Sequence, residues 1–310
     1  MKTDGNQSEA VKLTHKKKKV ITYTSLIGLA FVLPAVLLNL VFDWYPMLDG
    51  IRMSFYRWDG YSEGTFIGFD NFIEMFTKDD LFIRSIGNML FFLVWSLILM
   101  IPTIIACVVM FRIKNQKRQF VYRVLICLPM VVPSMVFLLL WQVFIYDYRI
   151  GVLNQILEIL GLASLKQVWL GQEKIARFSI LFMQIPWVGA NACLIYLGGL
   201  KSIPDSVWEA CELDGVGPIT KLLRFELPLI MGQFKLNLIG VLGGTITGYG
   251  SQLILAPNNL YVLVPGLHMY NEAFNSYRYG YSSAIGLVLF VVALVITLIT
   301  MKFLKSEAID

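Results

Sequence analysis

Long apolar runs alternate with short polar segments along the whole chain. Because a helix needs about 20 mostly apolar residues to cross the hydrocarbon core of a bilayer, six runs qualify as membrane spans: 20–42, 86–111, 122–146, 178–200, 228–250 and 282–304. The fifth run also contains lysine, asparagine, threonines and several glycines, which favours a helix surrounded by other protein helices. The pattern predicts an all-α integral membrane protein with one membrane domain over residues 20–304.

The composition and the charged flanks support this prediction. The chain is 57% hydrophobic and 15% charged, whereas soluble domains average about 45–50% apolar and about 25% charged residues. Lys16 to Lys19 precede the first span and a basic loop at 112–123 follows the second. Since Lys and Arg concentrate in cytoplasmic loops, we expect both termini in the cytoplasm, as tails at 1–19 and 305–310. The basic tail is interpreted as a membrane anchor, and no nucleic-acid partner is expected.

The sequence contains few groups that could carry out chemistry. The four cysteines lack C-x-x-C spacing and the only histidines are His15 and His268, so no metal site is expected. No G-x-x-x-x-G-K-[ST] loop is present to hold nucleotide phosphates. Ion-driven carriers usually have ionisable residues at the membrane midplane. Because the spans contain almost none, an ion-driven sugar carrier is the less favoured alternative.

Uncharged polar and aromatic side chains concentrate in the fourth and fifth spans. Such groups commonly bridge helices inside membranes, but they also suit a neutral polyol, which needs hydrogen bonds at its edges and ring stacking on its faces. The candidate substrate path comprises Gln184, Trp187, Asn191, Asn237, Thr245, Thr247 and Tyr249, with Tyr196 nearby. Lys235 in the fifth span could likewise make a structural contact or a contact with the substrate, and the structural contact is favoured.

An acid-rich segment, residues 201–227, separates the fourth and fifth spans. Its pattern predicts a short helix from Asp205 to Leu213, a break at 214–218 and a second short helix from about residue 219, and Leu227-Pro228 then opens the fifth span. Acidic residues outnumber basic ones here, contrary to the usual bias of cytoplasmic loops. We therefore expect this segment to dock against a basic partner surface.

The same segment resembles the EAA loop of ABC importer permeases, in which E-A-A is followed after three residues by G and after nine more by I-x-L-P. Glu209-Ala210-Cys211, Gly215 and Phe225-x-Leu227-Pro228 have the same spacing. Residues 66–72, 199–204 and 279–284 are similar to elements of the carbohydrate branch, which includes maltose and glycerol-3-phosphate permeases. The chain departs from that branch at 251–259, where a T-x-G-G-P segment is common.

The resemblance implies a type I permease fold of six helices in the bacterial cell membrane, and import of a sugar or oligosaccharide. It implies an ATPase-coupling loop at Glu209, Ala210, Cys211, Asp214, Gly215, Leu227 and Pro228. The implied partners are a second permease subunit, a dimer of ATPase subunits that binds ATP and Mg, an extracellular solute-binding protein and membrane lipid. The chain itself would hold no cofactor and would not be an enzyme. Importers of glycerol-3-phosphate, amino acids, phosphate or polyamines share the loop and stay open as alternatives, whereas a membrane scaffold would have no reason for it.

Overall fold

The computed structural model describes residues 23–304, so the predicted tails at 1–19 and 305–310 lie outside the described residues. The chain divides into two units, residues 1–49 and 50–310. The described part of the first unit is helical: α1 (Tyr23–Asn39) is followed by a π-helical turn (Leu40–Trp44) and by the start of α2 (Tyr45–Met53).

The second unit is built from helices and one small antiparallel sheet, in which β1 (Tyr56–Arg57) pairs with β2 (Thr65–Phe66) and Tyr56 lies opposite Phe66. The helices in the first half of this unit are α3 (Asp70–Thr77), α4 (Asp80–Phe111), α5 (Gln116–Cys127), α6 (Ser134–Leu140), α7 (Val152–Ile159) and α8 (Glu173–Phe182). Those in the second half are α9 (Ala190–Ser202), α10 (Asp205–Leu213), α11 (Pro218–Lys221), α12 (Leu227–Leu229), α13 (Met231–Thr247), α14 (Gly250–Leu255), α15 (Pro265–Phe274) and α16 (Tyr279–Phe303).

Three helical stretches in the described chain are long and apolar enough to cross a membrane: Ile27–Met53, Asp80–Phe111 and Tyr279–Phe303. Two further candidates are pairs of helices bent by 87° and 74°, which raises the number to at most five. The stretch predicted as a fourth span is interrupted, because α8 ends at Phe182 and α9 begins at Ala190. Six spans therefore stay a prediction from the apolar pattern.

Prolines lie at these interruptions. Pro129 and Pro133 lie in the bend between α5 and α6, Pro186 lies between α8 and α9, and Pro228 lies just before the bend into α13. A proline has no backbone N–H and its ring clashes with the preceding helical turn. The length of the apolar runs alone does not reveal these breaks.

Helix α4 organises the packing of the second unit. It contacts α9 and α13 along its length and α3 and α15 near its start, while α16 packs against α13 and α15. Asp79 caps α4 by accepting a hydrogen bond from the N–H of Phe82 at 2.9 Å. Farther along, the buried amide of Asn88 donates to the carbonyl oxygens of Leu260 and Leu263 and so holds the loop before α15 against α4.

A polar junction joins the starts of α4 and α16 to α15. His268 lies in helix α15, and its Nε2 is 2.7 Å from Asp79 Oδ2. The hydroxyl of Tyr281 donates to the same oxygen. Burial alone would raise the pKa of Asp79, but the hydrogen bonds from Tyr281, His268 and the Phe82 N–H together outweigh it and lower that pKa.

Candidate functional site

The acid-rich segment folds into two short helices around a turn. Helix α10 occupies Asp205–Leu213, the bounds that the sequence predicted, and α11 begins at Pro218. The turn has the hydrogen bonds of a Schellman motif: Gly215 N–H donates to the Glu212 carbonyl and Val216 N–H donates to the Cys211 carbonyl. Gly215 takes the left-handed conformation that this motif needs, with φ of +62°.

The predicted coupling residues divide into an outward-facing and an inward-facing group. Glu209, Ala210, Asp214 and Gly215 are exposed, so they are accessible to a partner. Cys211, which replaces an alanine of the motif, is buried. Leu227 is half-buried and Pro228 is exposed at the start of the fifth predicted span. The exposed group is compatible with the docking surface that the sequence predicts, which stays a prediction.

Glu226 does not belong to that surface, contrary to the prediction that counted it among the acidic docking residues. Its side chain is fully buried and forms a bidentate pair with Arg112, with Nε to Oε1 at 2.9 Å and Nη2 to Oε2 at 2.7 Å. Arg112 Nη2 also donates to the Pro218 carbonyl at 2.8 Å. Sequence reasoning used Arg112 only as a marker of the cytoplasmic side, because nothing in the sequence connects two residues 114 positions apart.

A cavity of about 420 Å³ lies between α4, α9, α13 and the connection from α8 to α9. Gln184, Trp187, Asn237 and Thr245 line it, which is four of the seven predicted path residues. Its lining contains no ionisable acid or base, but it does contain the phenol of Tyr196. That side chain is buried, and its hydroxyl lies beside the Asn237 side chain.

The other three predicted path residues lie elsewhere. Asn191 is exposed in the first turn of α9 and does not line the cavity. The hydroxyl of Thr247 donates to the carbonyl of Gly243 within its own helix. The ring of Tyr249 packs against Tyr270 of α15, with 5.7 Å between centroids. The tertiary structure thus brings together only part of the predicted path.

One wall of the cavity is held by Thr103, which sequence reasoning missed. Its hydroxyl donates to the Trp187 carbonyl at 3.2 Å and accepts from the Gly189 N–H at 3.1 Å. Trp187 itself has a φ of +56°, unusual for a residue other than glycine. The only signal in the sequence was a threonine next to Pro102 inside a strongly apolar span. Thr103 thereby fixes the break between α8 and α9 against α4.

Glycines of α13 form part of the same cavity. Gly240 and Gly244 line it, and a β-carbon added at either position would meet no atom within 4 Å. The sequence suggested that these glycines let helices approach closely, but within the described chain they face open space instead. Lys235 on the same helix donates to the Met301 carbonyl of α16 at 2.9 Å, a contact of the structural kind that was favoured.

The described residues contain no group of three or more His, Cys, Asp or Glu side chains that could hold a metal ion.

Comparison with known proteins identifies the family. Residues 81–306 match the family described as binding-protein-dependent transport system inner membrane component. The chain is 30% identical over 298 residues to a probable ABC transporter permease protein, YurN, of Bacillus subtilis, an alignment that covers 93% of this chain and 99% of the relative. It is also 30% identical to the multiple sugar-binding transport system permease protein MsmF of Streptococcus mutans, over 90% of this chain and 95% of the relative.

A solved structure supports the same conclusion. The crystal structure of a bacterial ABC transporter involved in the import of the acidic polysaccharide alginate contains a chain that superposes with a TM-score of 0.78 and 25% identity, covering 91% of this chain and 97% of that one. The spacing of the loop motif, the helical membrane fold and these similarities agree: the chain belongs to the family of binding-protein-dependent transport system inner membrane components, the multi-pass permeases of ABC importers in the bacterial cell membrane.

Proposed function

We propose that this permease forms half of the translocation path for a neutral sugar or oligosaccharide. The observation that carries the proposal is the uncharged lining of the cavity, where amide, hydroxyl and indole groups converge at Gln184, Asn237, Thr245 and Trp187. These groups suit a polyol, whereas a charged amino acid, phosphate or polyamine would enter without a counter-charge. Relatives named as permeases for arabinooligosaccharides and diacetylchitobiose support a sugar substrate.

The proposal includes the partners that the coupling loop requires. A dimer of cytoplasmic ATPase subunits would bind ATP and Mg and would contact the exposed face of α10 around Glu209. A second permease subunit would complete the path, and an extracellular solute-binding protein would deliver the sugar. The crystal structure of a bacterial alginate ABC transporter in complex with an alginate pentasaccharide-bound periplasmic protein contains a chain that shares this fold, with a TM-score of 0.79 and 24% identity to this chain.

Purification through a tag on this chain tests the assembly. We expect the complex to contain a second permease and an ATPase and to hydrolyse ATP, while the separated permease hydrolyses none because it has no phosphate-binding loop. Hydrolysis by the separated chain, free of contaminants, would contradict the proposal, as would a complex without an ATPase.

Uptake of labelled arabinotriose, diacetylchitobiose and an alginate trisaccharide tests the substrate. We expect uptake of a neutral sugar and not of the anionic one. Gln184→Ala and Asn237→Ala should lower that uptake, whereas Asn191→Ala serves as the matched control because its amide lies outside the cavity. Equal uptake by all three variants would show that the cavity is not the sugar path, and preference for the alginate trisaccharide would refute a neutral substrate.

A further inference from the structure

The ion pair between Arg112, whose side chain is 31% exposed, and the fully buried Glu226 connects the coupling loop to the helix that forms the cavity wall. Arg112 directly follows α4, and its guanidinium holds both ends of the segment 218–226, the carbonyl of Pro218 at the start and the carboxylate of Glu226 at the end. Two parallel N–H···O bonds to one carboxylate fix orientation as well as distance. This segment contains α11 and a π-helical turn at Leu222–Glu226, and it is thus attached to α4 at two points.

The same helix continues to the cavity. Thr103, which fixes the connection between α8 and α9, lies nine residues before Arg112 on α4, or roughly 14 Å at the rise of an α-helix. Ser96, Leu99 and Met100 line the cavity one and two turns farther along. A displacement of Arg112 along the axis of α4 would therefore displace this wall.

Stability alone is a poor reason for this pair. Removing the Glu226 carboxylate from water costs several kcal/mol, the half-buried Arg112 guanidinium adds to that cost, and apolar residues of similar size often stabilise a protein as well or better. Neighbouring contacts in the same region already hold the loop without charge burial: the Phe111 and Trp208 rings lie 5.5 Å apart, and Val207 and Leu222 pack against the apolar cluster at the end of α4. What the ion pair adds is a directional connection.

We propose that Arg112 and Glu226 are positioning residues that make α4 and the segment 218–226 move as one body when the ATPases displace the coupling loop. This rests on the proposed function, because it needs an ATP-driven displacement to transmit. Neither residue touches the substrate; their role is to pass the movement of the loop to the cavity wall.

A nearby pair provides the control. Lys114 lies two residues beyond Arg112 and approaches Glu212 at 4.0 Å, but these side chains are 93% and 67% exposed. Exposed pairs of this kind contribute little. Arg112→Gln and Lys114→Gln therefore remove the same kind of charge from the same loop. The first charge is paired with the fully buried Glu226 carboxylate, and the second belongs to a solvated pair.

The test uses the tagged complex in proteoliposomes with the neutral sugar that the unaltered complex imports. For Arg112→Gln and Glu226→Gln we expect uptake to fall about tenfold or more, while ATP hydrolysis and the amount of co-purified ATPase stay near those of the unaltered complex. Lys114→Gln should keep both activities. Normal uptake in the Arg112 and Glu226 variants would overturn the inference and leave the proposed function standing, whereas an unaltered complex that contains no ATPase would refute both.

A distance measurement tests whether α4 and the segment 218–226 move together, even if these variants fail to assemble. Spin labels at Val109→Cys on α4 and Leu223→Cys in the attached segment occupy exposed positions, in a background with Cys127→Ser. We expect the interspin distance to be the same without nucleotide and with ATP trapped by vanadate. A distance that changes between the two states would show that the segment slides relative to α4, and the inference would be wrong.

Discussion

Substitutions at Gly215 separate the two reasons for a glycine in the coupling loop. One is backbone conformation, since φ is +62°, and the other is close approach of a partner. Within the chain, an added β-carbon would meet nothing within 4 Å. The cost of Gly215→Ala to the permease itself is therefore the left-handed conformation alone, about 1–2 kcal/mol. Gly215→Asn should cost less, because asparagine tolerates this conformation better.

Gly215→Leu adds a bulky side chain at the same backbone cost, because the space around the residue is open. In the separated permease we expect its thermal unfolding midpoint to match that of Gly215→Ala. In the complex we expect uptake and ATPase co-purification to fall much further for leucine than for alanine, since only leucine would collide with a docked subunit. Membrane insertion, measured by immunoblotting, should be similar for all three variants.

Two results would refute this reasoning. If leucine and alanine reduce uptake equally, no partner approaches Gly215 and the glycine serves only the Schellman turn. If alanine leaves the unfolding midpoint unchanged while asparagine lowers it, the left-handed conformation is not the source of the cost.

Three further predictions concern single side chains. Glu209→Lys should abolish uptake and weaken ATPase binding without affecting insertion, since it places a like charge against a basic surface. Glu209→Gln should reduce uptake less. Unchanged transport in both variants would show that Glu209 does not take part in docking. Asn88→Leu should destabilise the chain by about 1–3 kcal/mol for each carbonyl left unpaired, seen as a lower unfolding midpoint. The hydrogen bonds at Asp79 lower its folded pKa, so their stabilisation is present above the unfolded value near 4 and is lost as pH falls through the lower folded value. Unfolding midpoints measured from pH 7 to 3 should therefore drop more steeply for the unaltered chain than for Asp79→Asn.

The helix and turn of the coupling loop were predictable because their signals are local. Pro204 precedes the first turn of α10, and a glycine follows the helix where a left-handed residue is needed. The spacing from Glu209 to Leu227-Pro228 identified the loop for the same reason, since all of it lies in 20 consecutive residues. The buried role of Glu226 was not predictable, because its partner Arg112 lies 114 positions away in the sequence.

The predicted substrate path was likewise predictable only in its local features. Composition marked the right helices, but which amides share a cavity depends on how each helix is rotated. Gln184 and Asn237 line the cavity while Asn191 does not, because the chain breaks between α8 and α9 and Thr103 of α4 holds that break. The position of an amide within an apolar run does not reveal whether its face of the helix lines the cavity.

The sequence by itself determined the membrane class, the positions of the apolar runs and the location of the coupling loop. Each of these is set by residues close together in the chain, through apolar length, capping and motif spacing. Only the tertiary structure decided that Arg112 pairs with Glu226, that Lys235 contacts α16 and that four of the seven path residues meet. These contacts join helices far apart in sequence, and their geometry is fixed by packing against α4 and α16, which no local pattern encodes.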